Sequence, residues 1–255
     1  MSTKESTDDN SLDTYWNQTR RPLPCLVFLM PLLTLYEVGV LWAAQSGGGA
    51  DVVQNGADSW MRWAMQQLGF SPAFAMPFVI LLIFTIWQVS SRETWRLDGE
   101  VLLGMLGESL VLAVALMVVG RVQDIAFNRL EAGDVVASIG SAATTVDRLV
   151  SYVGAGIYEE TLFRLLLLPA VYFALKGIGI PSSLAMTVAM TMSALAFSGA
   201  HYIGDIAEPF TWFSFIFRWV AGLFFAAVFV LRGFGIAVGA HAAYDILVGV
   251  LHFQL

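Results

Sequence analysis

The stretch Ile157-Tyr158-Glu159-Glu160-Thr161-Leu162-Phe163-Arg164 places three ionisable side chains inside an apolar run from residue 149 to residue 174. That run is long enough to cross a bilayer, where a charged residue costs about 2.5–3.5 kcal/mol and indicates a functional site. On a helix, Glu160 and Arg164 stand at i and i+4 and can pair, whereas Glu159 is turned about 100° away. The spacing therefore leaves the Glu159 carboxylate available for chemistry.

The composition is that of a membrane protein with several spans. Of the 255 residues 57% are hydrophobic and 13% charged, and the mean hydropathy is +0.70. The formal net charge is −7, and the chain has no basic patch, so nucleic acid is not an expected partner. The single cysteine, Cys25, excludes an internal disulfide, and we predict that it is a packing residue.

Seven apolar segments predict transmembrane helices. They lie at residues 22–44, 72–89, 101–120, 147–175, 181–201, 210–231 and 235–252. Residues 51–69, in which Trp60 and Trp63 alternate with polar side chains, suit a helix lying in the membrane interface. Residues 121–146 are expected to form a polar loop or surface helix. The predicted fold is all-α, with about seven transmembrane helices and additional interfacial helices.

The same pattern divides the chain into three regions. These are a disordered segment at 1–21, transmembrane and interfacial helices at 22–146, and a membrane region at 147–255 that carries the polar residues described next. With these spans, the basic residues of the connecting segments are divided unequally between the two sides of the membrane. One side has Lys4, Arg20, Arg21, Arg92, Arg96, Lys176 and Arg232, and the other has Arg62, Arg121, Arg129 and Arg148. This bias predicts a multi-pass protein of the cell (inner) membrane with a cytoplasmic N-terminus.

Two of the three histidines lie in apolar helices. His201 ends one helix, where it could be an interfacial residue, and His241 precedes Asp245 by one turn, so it could be a core histidine bonded to that carboxylate. Burying six polar residues in three separate spans is nevertheless costly unless they converge. These residues are Glu159, Glu160, Arg164, His201, His241 and Asp245. A converged set of carboxylates and imidazoles suits water activation, with a base, a group that orients the water and a donor to the oxyanion.

The other ionisable residues of the spans have simpler interpretations. We predict that Glu37, Glu108 and Arg218 form buried charge pairs or a triad between helices, and that His252 is a boundary residue. Small residues beside the polar set, such as Gly156, would let helices approach closely.

The polar residues fall into three motifs that resemble the CPBP family of intramembrane glutamic endopeptidases, also known as Abi or CAAX-protease-like proteins. The motifs are Glu-Glu-x-x-x-Arg at 159–164, Phe-x-x-x-His at 197–201 and His-x-x-x-Asn/Asp at 241–245. The resemblance covers residues 147 to 253. It implies an all-helical membrane fold enclosing a cavity, and a CAAX-protease-like catalytic region within 147–255.

The resemblance also implies a role for each motif residue. Glu159 would be the general base that activates water, and His201 would help to hold and polarise that water. Glu160 with Arg164 would fix the helix geometry, and His241 with residue 245 would stabilise the oxyanion. Many members have Asn where this chain has Asp245. An ionised carboxylate cannot donate, so Asp245 must be protonated or must orient His241.

The predicted spans raise a question of depth. Helices along the bilayer normal would put Glu159 near mid-membrane, His201 near the outer end of its span and His241 toward the inner end. We expect helix tilt, a longer fifth helix or a water-filled cavity to bring them together.

The favoured function is an intramembrane endopeptidase without a cofactor or metal, acting on a peptide or membrane-protein substrate in the lipid bilayer. One alternative uses Glu159, Glu160, His201, His241 and Asp245 as ligands of a divalent metal that activates water. The other is a membrane protein without catalysis, such as an immunity or scaffold protein that binds peptides, or a proton-coupled carrier. The absence of an internal repeat counts against the carrier.

Overall fold

The protein is built from α-helices, as this computed structural model shows. The structure describes residues 15–45, 54–70, 72–127, 144–204 and 207–251, and within these ranges it has no β-strand. The α-helices are α1 (Pro22–Gln45), α2 (Gly56–Gln67), α3 (Pro72–Ser91), α4 (Gly99–Ala126), α5 (Thr145–Glu160), α6 (Leu168–Gly177), α7 (Ser182–Ala200), α8 (Trp212–Arg232) and α9 (Phe234–Gly249). A π-helical segment, Thr161–Leu167, joins α5 to α6. The predicted all-α class is confirmed.

Four helices are long and apolar enough to cross a membrane. These are α1, α4, α7 and α8, with 24, 28, 19 and 21 residues. Two shorter apolar helices are Met76–Ser91, within α3, and α9. The predicted fourth span is helical throughout but is divided by the π-helical segment. The structure thus supports an integral membrane protein, whereas the predicted count of seven spans is not confirmed.

Side-chain caps fix where several helices begin. Thr144 and Asp147 form a reciprocal capping box at the start of α5. Thr211 accepts a hydrogen bond from the Ser214 amide at the start of α8. Gly233 separates α8 from α9 with a φ of +97°, which favours glycine. The chain therefore reverses direction sharply between these two helices.

The π-helical segment follows directly after Glu160. Pro169 lies at the start of α6, where it lacks an amide hydrogen and its ring crowds the carbonyl four residues earlier. A wider turn before the proline relieves that crowding, and single π turns occur often at functional sites. The long helix therefore changes its geometry beside the candidate site.

Helix α9 lies in the middle of the protein. Its residues from Phe234 to Ala242 are all buried, and it packs against α4, α5 and α8. At Gly156 of α5, an added Cβ would lie 2.9 Å from the Ala242 backbone nitrogen. The absence of a side chain there lets α5 and α9 approach closely, which brings their polar residues together.

Two local predictions have clear outcomes. Cys25 is fully buried, and its thiol donates to the Thr19 carbonyl, so its packing role is confirmed. The third predicted span continues as a helix past residue 120 to Ala126. Its polar last turns are stabilised by the Arg121–Asp124 ion pair, and Gln123 donates to the Phe213 carbonyl.

Residues 128–143 of the predicted polar loop, residues 1–14 and His252 lie outside the described residues.

Candidate active site

Glu159 faces both imidazoles of the predicted set. Its Oε2 atom lies 4.0 Å from Nε2 of His201 and 3.8 Å from Nε2 of His241. The Glu159 side chain is 13% exposed and the His201 side chain 21%, while His241 is almost fully buried. Residues from α5, α7 and α9 thus meet around one carboxylate.

Glu160 connects two elements of the site. Its Oε1 atom accepts a hydrogen bond from His241 Nδ1 at 2.7 Å and forms an ion pair with Arg164 Nη1 at 3.1 Å. The pair with Arg164 confirms the prediction from i,i+4 spacing. The contact with His241 is tertiary, and no local pattern in the sequence indicates it. Because the hydrogen bond to Glu160 is made by Nδ1, the opposite ring nitrogen of His241, Nε2, faces Glu159.

His201 is oriented by its own helix. Its Nδ1 atom lies 2.9 Å from the Phe197 carbonyl oxygen, which can only accept, so Nδ1 carries the hydrogen. In the neutral ring Nε2 is then an acceptor, and this atom faces Glu159. The spacing of the Phe-x-x-x-His motif thus has a direct consequence, because residue 197 supplies the carbonyl that fixes the ring.

Arg164 is enclosed by the protein. Its side chain is fully buried, and Nη2 donates to the Gly222 carbonyl of α8 at 3.2 Å. The guanidinium carbon lies 4.4 Å from the centre of the Phe197 ring. Ion pair, carbonyl and ring together offset the cost of burying this charge. Arg164 therefore links the π-helical segment to α7 and α8.

Phe225 is a site residue that the sequence analysis missed. Its ring stacks on His241 with 4.5 Å between centroids and 10° between planes. A signal is present in the sequence, because Phe225 and His241 each lie eight positions from Gly233. In a tight antiparallel helical hairpin, positions equally far from the turn lie side by side.

If the site hydrolyses peptides, as its resemblance implies, we expect Phe225→Leu to slow that reaction by up to about tenfold, since an aromatic pair contributes about 0.5–1.5 kcal/mol beyond its buried area. The loss would arise because His241 could tilt once the stacked ring is gone. The measurement is kcat against a cleaved peptide, with Phe224→Leu as the matched control on the same helix. Equal rates for both variants would show that stacking does not hold His241.

Asp245 lies at the edge of the site. Its Oδ2 atom is 3.6 Å from Nε2 of His241, beyond hydrogen-bond distance, and its side chain is 21% exposed. The closer partner of His241 is Glu160 on the opposite ring nitrogen. Glu160 thus makes the hydrogen bond that orients the His241 ring, and a role of Asp245 at Nε2, as an orienting carboxylate or a protonated donor, stays a prediction.

The question of depth has a geometric answer. Glu159 lies 18 residues before Gly177, and His201 lies 19 residues after Ser182. At about 1.5 Å per residue in an α-helix, His201 is about 28 Å from the turn between α6 and α7. Glu159 is slightly nearer to that turn, because the wider π-helical segment rises less per residue. Helix α5 extends well beyond this level, whereas α7 ends at Ala200, directly before His201. Glu159 and His201 therefore lie at similar depths, and the difference in depth expected from spans of equal length is absent.

The remaining ionisable residues of the spans form separate pairs, as predicted. Glu37 pairs with Arg62 at 2.9 Å, and Arg218 pairs with Glu208 at 2.6 Å. Glu108 accepts from Arg232 Nη2 at 2.8 Å. The Glu37–Arg62 and Glu108–Arg232 pairs each join two helices, as predicted, whereas Glu208 lies in the segment just before α8, so the Arg218 pair is local.

The metal alternative depends on the spacing of possible ligands. Within the described parts of the chain, no group of three or more His, Cys, Asp or Glu side chains is arranged so that it could hold a metal ion.

Fold and site define a class: an all-α integral membrane protein with carboxylates and imidazoles gathered between its helices. Residues 141–247, which include all six predicted site residues, match the family model described as Rce1-like, Type II CAAX prenyl endopeptidase Rce1-like. The chain thus carries an Rce1-like domain, and the resemblance to the CPBP family is confirmed. This family supports an intramembrane protease of the CAAX type. Comparisons with curated proteins and with solved structures gave no match.

Proposed function

We propose that this protein hydrolyses a peptide bond within the membrane by using water that Glu159 activates. One observation carries the proposal: Glu159 Oε2 lies 4.0 Å from Nε2 of His201 and 3.8 Å from Nε2 of His241. A water molecule that makes hydrogen bonds of about 2.8 Å to both Glu159 and His201 fits this separation. The base, the water and the second imidazole then occupy one small volume, as acid–base catalysis requires.

In the proposed reaction, Glu159 takes a proton from the water as its oxygen bonds to the carbonyl carbon of the substrate. His201 accepts the second water hydrogen at Nε2 and so fixes the direction of the lone pair. When the tetrahedral intermediate collapses, the carbon–nitrogen bond breaks. Glu159 delivers its proton to the departing amine, which leaves one new carboxyl group and one new amino group.

The oxyanion of this intermediate is assigned to His241. Glu160 accepts the hydrogen of Nδ1, so His241 can also donate from Nε2 to the oxyanion only as the imidazolium, with a proton on each nitrogen. The carboxylates of Glu159 and Glu160 beside the ring favour that charged form. Asp245 lies beside Nε2 at 3.6 Å and can add a donor only when it is protonated. Glu160 and Arg164 support the arrangement without touching the substrate.

The substrate is proposed to be a peptide or a membrane protein. The family description names a CAAX prenyl endopeptidase, so prenylated peptides belong in any substrate test beside unmodified ones. We also propose that the N-terminus faces the cytoplasm, because the basic residues favour that side.

The test is digestion of a mixed library of prenylated and unmodified synthetic peptides by the purified protein in liposomes, followed by mass spectrometry. We expect wild-type protein to generate new termini and Glu159→Gln to generate none. Glu108→Gln, which changes a partly buried glutamate away from the site, is the matched control and should retain cleavage. Cleavage by Glu159→Gln at a rate close to that of wild type would overturn the assignment of the base, and no cleavage by wild type would overturn the proposed activity.

A separate prediction concerns metals. We expect the cleavage rate to be unchanged after treatment with EDTA or 1,10-phenanthroline, because the proposal assigns water activation to Glu159. The measurement is the initial rate before and after chelation and after zinc is added back. Activity that is lost on chelation and regained with zinc would favour the metal-dependent alternative.

A further inference from the structure

We propose that Tyr158 and Glu37 are positioning residues for Glu159, acting through a buried network that ties α5 to the short helix α2. The inference rests on the proposed function, because it assigns to Glu159 the task of activating water. The network consists of Tyr36, Glu37, Asp58, Arg62 and Tyr158, and we refer to it as the Tyr158 network. None of these residues belongs to the three motifs of the site.

The contacts of the Tyr158 network form a continuous chain. The Tyr158 hydroxyl donates to Glu37 Oε1, and Arg62 Nη2 donates to the same oxygen at 2.9 Å. Arg62 Nε donates to Asp58 Oδ1 at 2.6 Å, and the Tyr36 hydroxyl donates to Asp58 Oδ2 at 2.6 Å. Helices α1, α2 and α5 are thus joined through side chains.

Burial makes these contacts specific. Tyr36 and Tyr158 are fully buried, Asp58 has no exposed side-chain area, and Arg62 is only 8% exposed. The two tyrosine rings also pack against each other with 5.2 Å between their centroids. Two carboxylates share one guanidinium, so the tyrosine hydroxyls supply donors that the carboxylates require. Removing one hydroxyl therefore leaves a buried acceptor with one partner fewer.

The position of Tyr158 on α5 explains why the network matters for Glu159. Successive residues of an α-helix are turned by about 100°, so Tyr158 and Glu160 point about 200° apart and Glu159 points between them. Tyr158 is held by Glu37 on one side, and Glu160 is held by His241 on the other. These two tethers together fix the rotation of α5 and hence the direction of the Glu159 carboxylate.

The α-helical geometry of α5 ends directly after these two tethers. The π-helical segment begins at Thr161, one residue after Glu160, and its hydrogen bonds follow a wider pattern. Helix α6 therefore does not continue the α-helical register of α5. The rotation of α5 is therefore fixed by the Glu160 contact on one face and by the Tyr158 network on the opposite face.

Helix α2 also approaches the His201 side of the site. An added Cβ on Gly204, three residues after His201, would lie 3.8 Å from Trp60 Nε1 of α2. The helix predicted to lie in the membrane interface thus contacts segments that carry both proposed water-binding residues. Arg62 and Asp58 hold α2 in place, and through the Tyr158 network this contact constrains α5 and the position of Glu159.

The chain offers a matched control in a second, partly buried cluster of the same chemistry. Glu108 accepts from Arg232 Nη2 and from the Tyr15 hydroxyl, each at 2.8 Å. The Arg232 side chain is 6% exposed and Glu108 23% exposed, close to the values for Arg62 and Glu37. This cluster lies at the turn between α8 and α9, and no proposed catalytic residue is adjacent to it in sequence.

The experiment compares Tyr158→Phe and Glu37→Gln with Tyr15→Phe and Glu108→Gln in liposomes, using any cleaved peptide. We expect Tyr158→Phe to lower kcat by about tenfold to a hundredfold with KM nearly unchanged, because small displacements of a catalytic group carry such costs. Tyr15→Phe should lower the thermal midpoint to a similar extent but leave kcat unchanged. Equal kcat values for the two tyrosine variants would overturn the inference.

A double variant distinguishes positioning from general stability. In the background of Glu159→Gln, any residual rate should be the same with Tyr158 or Phe at position 158, because there is no base left to position. An undiminished effect of Tyr158→Phe in that background would contradict the inference. If Glu159→Gln itself cleaves at the wild-type rate, the proposed function fails instead, so the two failures remain distinct.

Discussion

Glu159→Gln is expected to lower the rate of peptide hydrolysis by about 10³-fold, within the range of about 10²–10⁴ that a positioned general base contributes. Glutamine has the size of glutamate and can still hydrogen-bond to water, but it cannot take a proton. Since the Glu159 carboxylate faces His201 and His241 without contributing to the Glu160–Arg164 pair, folding should be little affected. The measurement is kcat in liposomes together with the thermal midpoint.

Glu159→Asp provides a graded control for this result. Aspartate keeps the base but withdraws it by one methylene group, so a smaller loss of about 10²-fold is expected from misplacement alone. The expected order of rates is therefore wild type, then Glu159→Asp, then Glu159→Gln. Equal rates for wild type and Glu159→Gln would rule out Glu159 as the base.

Arg164→Met is expected to be the most destabilising single change, lowering the free energy of unfolding by about 3–5 kcal/mol, as for other buried pairs that lose one partner. Arg164 and Glu160 are both fully buried, and methionine would leave the Glu160 carboxylate without its cation. The Gly222 carbonyl would also lose its donor from Arg164. Chemical unfolding in detergent micelles or bicelles measures the change.

Two controls separate this effect from the loss of an ordinary surface charge. Arg21→Met removes an ion pair to Glu93 in which both side chains are 37% exposed, so a loss below about 1 kcal/mol is expected. The double variant Glu160→Gln/Arg164→Met removes both buried charges and should be more stable than Arg164→Met alone. A double variant less stable than Arg164→Met would contradict the assigned role of the pair.

Much of the fold follows from patterns within single segments. Apolar runs and their polar boundaries predict helices close to α1, α4, α7 and α8, because burial in lipid requires long runs of apolar residues. The bounds differ where tertiary contacts extend a helix beyond its apolar run, as at Gln123 and the Phe213 carbonyl. The π-helical segment escapes prediction because helical periodicity assumes 3.6 residues per turn, and Pro169 by itself indicates only some change in the helix.

The site shows the same division between local and tertiary information. The Glu160–Arg164 pair depends only on i,i+4 spacing within one helix, and that spacing predicts it. The hydrogen bond from His241 to Glu160 joins residues 81 positions apart, so it depends on how α5 and α9 pack at Gly156. The level of His201 depends on the unequal lengths of neighbouring helices, which no single segment reveals.

The most direct test of the central claim compares membranes from cells that express wild-type protein or Glu159→Gln at equal levels. Mass spectrometry of all new peptide termini measures proteolysis even when the substrate is unidentified. We predict a set of termini that is present with wild-type protein, absent with Glu159→Gln and retained with Glu108→Gln. Identical termini in the wild-type and Glu159→Gln membranes, with the natural substrates present, would contradict proteolysis by this site.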